Sequence, residues 1–397
     1  MRKIFVLFVS CLAMGAMAQS EEVAFSHTVE NSLKKEVKDM PVVVSLKDYG
    51  DVQSAVVKLN GEEIPSQLDD LDKDGTFDEL AFVSDFKKKE KKTFSITLSN
   101  MGEQKEYTPR TFAELMLRNP KVKVKNQQDI YLQEISVTPD TKDPYHIVHH
   151  HGVAFESELI AIRIYYDQRQ TLDLYGKLKK RLEIKDTQFY TLDEQKAAGY
   201  GDDVLWVGNT FGLGALRGWN GSEPTMIDDV QNRIQRIIAT GPVRTIVEVE
   251  DRGWKAAADK PRLNMKIRYT LWAGHRDVDV YASFSRDVRD MLFSTGVINV
   301  KDSKEWNNGK DIRGCWGTDW PTGANDSVGH KRETVGLGVK IPQKYIVSME
   351  PANVNNYAYV IRPDENNEIH YQVAYCSKNE EFATWDEDTW FEWLKQW

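Results

Sequence analysis

Long runs in which apolar and polar side chains alternate strictly constrain this chain more than any other feature. In RLNMKIRYTLWAGHRDVDVYASF, residues Leu263, Met265, Ile267, Tyr269 and Leu271 share one parity and Arg262, Asn264, Lys266, Arg268 and Trp272 the other. After a turn at 273–276, Val278, Val280, Ala282 and Phe284 resume the apolar set. A period of two belongs to a strand with one face buried and one wet. TLDLYGKLKKRLEI reads the same way, with Leu172, Leu174, Leu178, Leu182 and Ile184 against Asp173, Tyr175, Lys177, Lys179, Arg181 and Glu183. Shorter runs at 42–46, 55–59, 94–98, 243–249, 335–341, 357–361 and 369–375 repeat the pattern. Strands this long, with short turns and few helices between them, argue against a parallel βαβ fold and for stacked antiparallel sheets. The expected class is mainly β: a large antiparallel β-sandwich preceded by a small N-terminal β unit.

Asn60-Gly61 is the strongest hairpin signal and belongs to that unit, expected over 19–110, with the sandwich over 111–397. The segment 111–116 reads either as a short helix or as the entry to the sandwich. Helical spacing appears at 192–198, ending at Gly199. It appears again in the C-terminal DEDTWFEWLKQW, where Trp390, Trp393, Leu394 and Trp397 form an amphipathic stripe suited to docking on the sandwich.

The first residues, MRKIFVLFVSCLAMGAMAQS, combine Arg2 and Lys3, an apolar run and small residues before Gln19. This is the layout of a cleaved secretory signal over 1–18, and it predicts a periplasmic or secreted protein. Cys11 as a lipid-attachment site is the alternative. No later run is apolar for long enough to span a bilayer. Without Arg2 and Lys3 the 52 basic residues become 50 against 61 acidic ones, a formal charge of −11. An acidic chain of this kind argues against nucleic acid as a partner. Cys315 and Cys376 remain, and an oxidising compartment permits either a pair or two buried thiols.

The most specific motif is Asp70-Leu-Asp72-Lys-Asp74-Gly75-Thr76-Phe-Asp78. Alternate carboxylates, a glycine at the sharp turn, the Thr76 carbonyl and Asp78 supply the hard oxygens that Ca2+ takes. Position twelve is Ala81, so the loop departs from a helix-loop-helix hand and is expected between strands, with a structural role.

YHIVHHHGVAFESE holds four of the eight histidines. On a regular strand His149 and His151 share a side and His150 faces away. Glu156 and Glu158 approach them only if the chain turns at Gly152. Three readings follow: imidazole and carboxylate doing acid–base work, a two-histidine metal site, or a polar strand edge.

Lys177 and Arg181 on one strand, with Arg268 on another, form cationic rows that would make a basic trough ending in Tyr175 and Trp272, if the strands are neighbours. Such a trough holds acidic sugars through their charge and stacks sugar rings on aromatic faces; otherwise the alternation serves solubility alone. Two Gly- and Trp-rich segments, 199–221 with Arg217 and Trp219 and 313–323 with Trp316, read as cleft-lining or end-covering loops.

The stretches IPSQLDDLDKDGTFDELAFV, HHHGVAFESE, YYDQRQTLDLYGK, GYGDDVLWVGNTFGLGALRGW and ATGPVRTIVEV together resemble a secreted family of Gram-negative glycan-degrading bacteria, a domain of unknown function found in polysaccharide-utilisation gene clusters. The sheet pattern also resembles the galactose-mutarotase and polysaccharide-lyase supersandwich. The resemblance carries over no catalytic residue; together with the cationic rows and the histidines it leads to the expectation of a glycan-processing enzyme, of lyase or hydrolase type, acting on an acidic, uronic-acid-containing oligosaccharide. In that expectation His149 or His151 is the base and Tyr175 or Tyr165 the proton donor. Lys177, Arg181 and Arg268 neutralise the substrate, Arg217, Trp219, Trp272 and Trp316 bind it, and Glu156 and Glu158 serve a hydrolytic route. The alternative is a non-catalytic carbohydrate-binding protein.

Overall fold

The computed structural model describes residues 21–323 and 330–397. The leader expected at 1–18, Cys11 included, lies outside them. The chain is mainly β, with its strands in antiparallel sheets. The largest sheet has nine strands in the order Glu134–Val137, Asn232–Ala239, Arg244–Trp254, Leu263–Trp272, Asp277–Phe284, Glu368–Ser377, Glu333–Lys340, Ile312–Asp319 and Lys304–Asn307. Against it pack two five-stranded sheets. One runs Asp202–Asp203, Leu172–Gly176, Ala161–Tyr165, Gly152–Ser157, Thr111–Glu114. The other is centred on Phe293–Ile298 and Asn356–Ile361.

The alternation read in 263–284 is obeyed: Met265, Ile267, Tyr269, Leu271, Val278, Val280 and Ala282 are buried in one continuous core with Phe155, Ile162, Ile164, Leu172 and Leu174 from the facing sheet. Each such side chain contributes about 1.5–3 kcal/mol on burial. Polar groups also bridge the layers. Gln235 accepts from the Val153 N–H (2.8 Å) and donates to the Ile164 carbonyl (3.0 Å). The Tyr375 hydroxyl lies 2.7 Å from the carbonyls of Ala161 and Tyr175.

The N-terminal residues form a four-stranded and a three-stranded sheet around Val57, Phe82, Phe86, Phe94 and Ile96. Asn60 and Gly61 turn the hairpin with φ of 54° and 86°, the left-handed pair that a two-residue turn requires. Ion pairs fasten this part to the large sheet: Arg244 to Asp69 (2.6 Å) and Glu79 (2.7 Å), and Arg110 to Asp39 (2.6 Å) and Glu158 (2.5 Å).

The C-terminal helix Glu387–Gln396 is capped by Asp386, whose carboxylate accepts from the Thr389 N–H at 2.8 Å. Trp390 and Leu394 are buried against Ile312, Ala374 and Cys376 on the side of the nine-stranded sheet away from the main core. Cys315 belongs to the main core and Cys376 to the helix-facing cluster, so the two thiols lie on opposite faces and stay free.

Of the two readings of 111–116, the entry to the sandwich holds: it is a strand, Thr111–Glu114, at the edge of a five-stranded sheet, followed by the two-residue Met116–Leu117. One expectation is corrected. TLDLYGKLKKRLEI is not one long strand: it ends at Gly176, turns, and enters the short helix Ile184–Thr187. Its second face is not wet, because residues 183–203 fold back over Tyr175, which packs with Ala154, Ala161, Ile184 and Phe189.

Candidate functional site

The histidines precede the strand Gly152–Ser157, and the chain does turn there. His149–His151 form one turn of 3-10 helix, with His150 and His151 at φ of 52° and 67°. A side chain at Gly152 would stand 1.7 Å from the Ile164 carbonyl oxygen, so only glycine lets the turn feed this strand beside its neighbour. Opposite the histidines, Gln188 and Phe189 are a second left-handed pair, at φ 46° and 62°, and they aim Tyr190 back at the imidazoles. Strained residues held by their surroundings cluster at functional sites.

The Tyr190 hydroxyl lies 3.2 Å from His151 Nε2, while His151 Nδ1 lies 3.1 Å from the Tyr145 carbonyl. Nδ1 therefore carries the proton and Nε2 accepts from the phenol. The Tyr145 ring stacks on His151, with centroids 3.8 Å apart and planes 1° from parallel. His150 Nδ1 faces the Gln188 carbonyl at 2.9 Å and its Nε2 lies 3.0 Å from Glu114 Oε1, both residues being fully buried. His149 Nε2 is buried with no hydrogen-bond partner.

Burial, the largest influence on each, pulls His149 down to about 2 and His150 and His151 to about 3, so all three imidazoles are neutral. Burial pushes Glu114 well above the carboxylate range. This favours its protonated form, with His150 Nε2 the nearest group facing it. Burial also raises the Tyr190 phenol, against the opposing pull of Arg163.

Arg163 stands on the next strand, opposite Asp173 in register. Its Nε and Nη2 donate to Asp173 at 2.8 and 2.6 Å, and Nη2 also reaches Asp203 at 2.9 Å. Tyr165 donates to the same Asp173 oxygen at 2.8 Å. Asp203 is pushed well above the usual carboxylate range, by burial first and by the Asp173 charge second, and Arg163 offsets only part of this.

Three hollows meet along this surface. One of about 280 Å³ contains the histidines, Arg118, Lys123 and Lys125. A second, of about 470 Å³, shares Lys125 and Tyr190 with it and reaches Asp203. A third, of about 500 Å³, shares Asp202, Asp203 and His330 with the second and is walled by Tyr200 and Glu333. Together they form one groove, with Tyr190 between the histidine end and the aspartate end.

His149 and His151 line this groove; most of the other residues expected to act with them do not. Tyr175 is buried, its hydroxyl 2.7 Å from the Gly201 carbonyl. Glu156 is buried against Lys177 and accepts from the backbone of Glu183 (2.8 and 3.0 Å) and Ile184 (2.8 Å). Glu158 binds Arg110 and the Gly274 N–H (2.7 Å) at the junction with the N-terminal sheets.

The basic trough does not form. Lys177 is buried and Arg181 lies on Glu183 (2.9 Å) and over the Tyr200 ring. Arg217 is buried among Thr171, Asn209 and Thr210, a setting that lowers it to about 10 through desolvation. Arg268 binds Glu248 (2.6 Å) and the Leu71 carbonyl (2.5 Å). Trp272 is covered by Ala81 and Val243, Trp316 packs in the C-terminal helix cluster, and Trp219 lies in the short strand Arg217–Trp219 beside Pro224. Cations on a polar face were absorbed by acidic neighbours that a single-strand reading does not see.

Arg163, Tyr190 and Glu114 were not singled out from the sequence; Asp203 was read only as one of the polar residues of the 199–221 cleft segment, and Asp173 only as part of a wet strand face. Arg163 and Asp173 each interrupt an apolar run, and a charge inside such a run is the available sign of a buried pair. Tyr190 has no comparable signal, because its place follows from two left-handed residues.

In the 70–78 loop, Asp70, Asp72 and Asp78 each offer an oxygen within 4.8 Å of the others, the one such cluster of His, Cys, Asp or Glu among the described residues. The Asp74 carboxylate accepts from the Thr76 N–H at 2.8 Å, and Gly75 has φ of 95°. The histidines form no such cluster, and both nitrogens of His151 are engaged.

The family model described as a domain of unknown function (DUF4861) matches residues 29–397. No curated protein matches the chain. Among solved structures, an alpha-mannosidase from Enterococcus faecalis V583 is similar at 9% identity and a TM-score of 0.41, over 89% of this chain and 43% of its own. A protein in the glycosyl hydrolase family 38 from Enterococcus faecalis is similar at 9% identity and 0.43, over 89% and 44%. The chain spans less than half the length of either.

Proposed function

Because the chain belongs to the DUF4861 family, whose description assigns no activity, we propose a function from the groove: a secreted glycan-processing enzyme that acts on an acidic oligosaccharide by proton transfer. The observation that carries this reading is Tyr190, held at 3.2 Å from His151 between the histidine hollow and the Arg163-bridged carboxyls. In the lyase form, the proton α to a uronate carboxylate passes to His149 Nε2, which has no other partner. The bond to the 4-oxygen breaks, that oxygen takes the Tyr190 proton, and the product keeps a carbon–carbon double bond. His151 Nε2 holds the phenol in place; the proton taken by His149 passes to solvent, and solvent restores the one that Tyr190 gave up. In the hydrolase form the acid is Asp203, whose protonated form is favoured by burial and by the neighbouring Asp173 charge.

The low basicity of His149 favours a second reading, a carbohydrate-binding protein without turnover. A panel of polyuronates and neutral glycans separates these. The lyase form releases product with new ultraviolet absorbance, the hydrolase form only new reducing ends. Tyr190→Phe and His149→Ala lower lyase turnover at least ~100-fold without loss of folding. Binding of an acidic glycan with no turnover by the parent overturns the enzyme reading; variants as active as the parent overturn these residue roles.

The same reading includes Ca2+ in the 70–78 loop, held by Asp70, Asp72, Asp74, Asp78 and the Thr76 carbonyl. Ca2+ should raise Tm, and Asp70→Asn should abolish the effect.

A further inference from the structure

RNPKVKVK, residues 118–125, places Lys123 and Lys125 two apart, and the fold sets both with Arg118 around the histidine hollow. No Asp or Glu lines this hollow, although the chain has 61 acidic residues against 52 basic ones. Among the described residues none of Arg118, Lys123 and Lys125 has a carboxylate partner. Lys123 reaches the Pro120 carbonyl (3.1 Å), and Lys125 lies over the Tyr190 ring at 5.0 Å. At the mouth, Asp143 is engaged by His146 at 2.6 Å. Inside, the buried His149 Nε2 lacks a hydrogen-bond partner.

Three cations converge on one small concavity, then, with no counter-charge among its walls and one unpartnered imidazole nitrogen within. Surface lysines of an acidic protein ordinarily find carboxylates nearby, as Lys196 finds Asp202 (2.5 Å) and Lys344 finds Asp364 (2.9 Å).

We infer that this hollow is an oxyanion subsite: Arg118, Lys123 and Lys125 hold the carboxylate or sulfate group of an acidic sugar, with His149 Nε2 beneath it. Arg118 supplies the planar fork that such a group takes in two hydrogen bonds, and the lysines act as point charges. The subsite deepens the proposed function by fixing the orientation of the substrate, its acid group at the histidine end and the adjoining sugar across Tyr190 toward Asp203. The subsite itself requires no turnover.

Thermal shift and titration calorimetry on the full chain test it, with sodium sulfate, sodium glucuronate and sodium chloride at matched ionic strength. Sulfate or glucuronate should raise Tm beyond chloride, and the Arg118→Ala/Lys123→Ala/Lys125→Ala variant should weaken that binding at least ~10-fold. All three residues are exposed, so the variant should keep the parent's own Tm in chloride to within about 2 °C. A response to sulfate alone identifies a sulfate ester as the ligand group, and to glucuronate alone a uronate; a response to both leaves the shared oxyanion chemistry as the recognised feature. The inference is overturned if neither anion exceeds chloride, or if the triple variant binds as the parent does. If an anion binds through these residues and no glycan is turned over, the subsite stands and the enzymatic reading falls.

Discussion

Replacing Lys177 by Met tests whether this lysine, expected from strand parity to meet substrate, is instead part of the frame. Its Nζ and the Glu156 carboxylate are wholly buried and paired. Nζ also donates to the carbonyls of Ser157 (2.6 Å) and Arg181 (2.7 Å). The carboxylate in turn accepts from the backbone of Glu183 and Ile184, where the short helix begins. Methionine fills the volume of the lysine stem but leaves a buried carboxylate without its counter-charge. Removing one partner of such a pair costs about 3–5 kcal/mol. In a unit of this size each kcal/mol moves Tm by roughly 2 °C, so Lys177→Met should lower Tm by about 6–10 °C. Adding Glu156→Gln removes the orphaned charge while its amide oxygen still accepts from the backbone, and should restore at least half of that loss. Differential scanning calorimetry of parent, single and double variants reads both numbers. A single variant within about 2 °C of the parent, or a double variant no better than the single, refutes the argument.

His275 gives a pH signature. Burial alone favours its neutral form, but Asp277 (3.2 Å) and the Asp39 carbonyl (2.9 Å) outweigh it and push the imidazole from 6.5 up to about 9. Its stabilising effect, on the order of 2 kcal/mol, is full below about pH 6.5 and fades as pH rises through about 9, so a Tm scan over that window should fall more steeply in the parent than in His275→Gln. Gly152→Ala should cost more than ~4 kcal/mol in urea denaturation, since the methyl would enter the Ile164 carbonyl; a loss under ~1 kcal/mol would show that the histidine turn is not held by this contact. Trp390→Ala should cost about 3–5 kcal/mol, because the ring is fully buried and lies close over Gly336; an unchanged urea midpoint would mean that the C-terminal helix is only loosely attached.

The sheets were legible because burial on one face writes itself into parity, and 263–284 keep that parity through two strands and a turn. The hairpin at Asn60-Gly61 was legible from its turn chemistry, and the tryptophan stripe at 390–397 from helical spacing. Parity misled at 172–184, where a sheet face is polar in sequence yet buried in space. Asp173 and Lys177 read as solvated, and each is neutralised by a residue 10 or 21 positions away, Arg163 and Glu156. Such partners come from strand register, which alternation does not specify. The histidine turn was half legible: Gly152 marked it as a turn, but only the left-handed backbone at His150 and His151 decides which nitrogens face Tyr190.

The sheet carrying Arg163 and Asp173 packs Ile162, Ile164, Leu172 and Leu174 on the main core, while its other face is covered by residues 183–203. A strand buried on both sides is hard to move, and charges set there are fixed by the register rather than by their own rotamers. The groove forms where that cover stops short of the histidine turn, so Tyr190, the last covering residue before the opening, meets the imidazoles. Arg163 and Asp173 are thereby held in place, with Asp203 at the sheet edge beside them, whereas Arg118, Lys123 and Lys125 stand on an exposed loop. Such a division suits a site in which charge-guided capture at the rim precedes proton movement at the floor. It follows that substitutions in the 118–125 loop should act on substrate affinity and its salt dependence, and substitutions at Tyr190 or Arg163 on turnover.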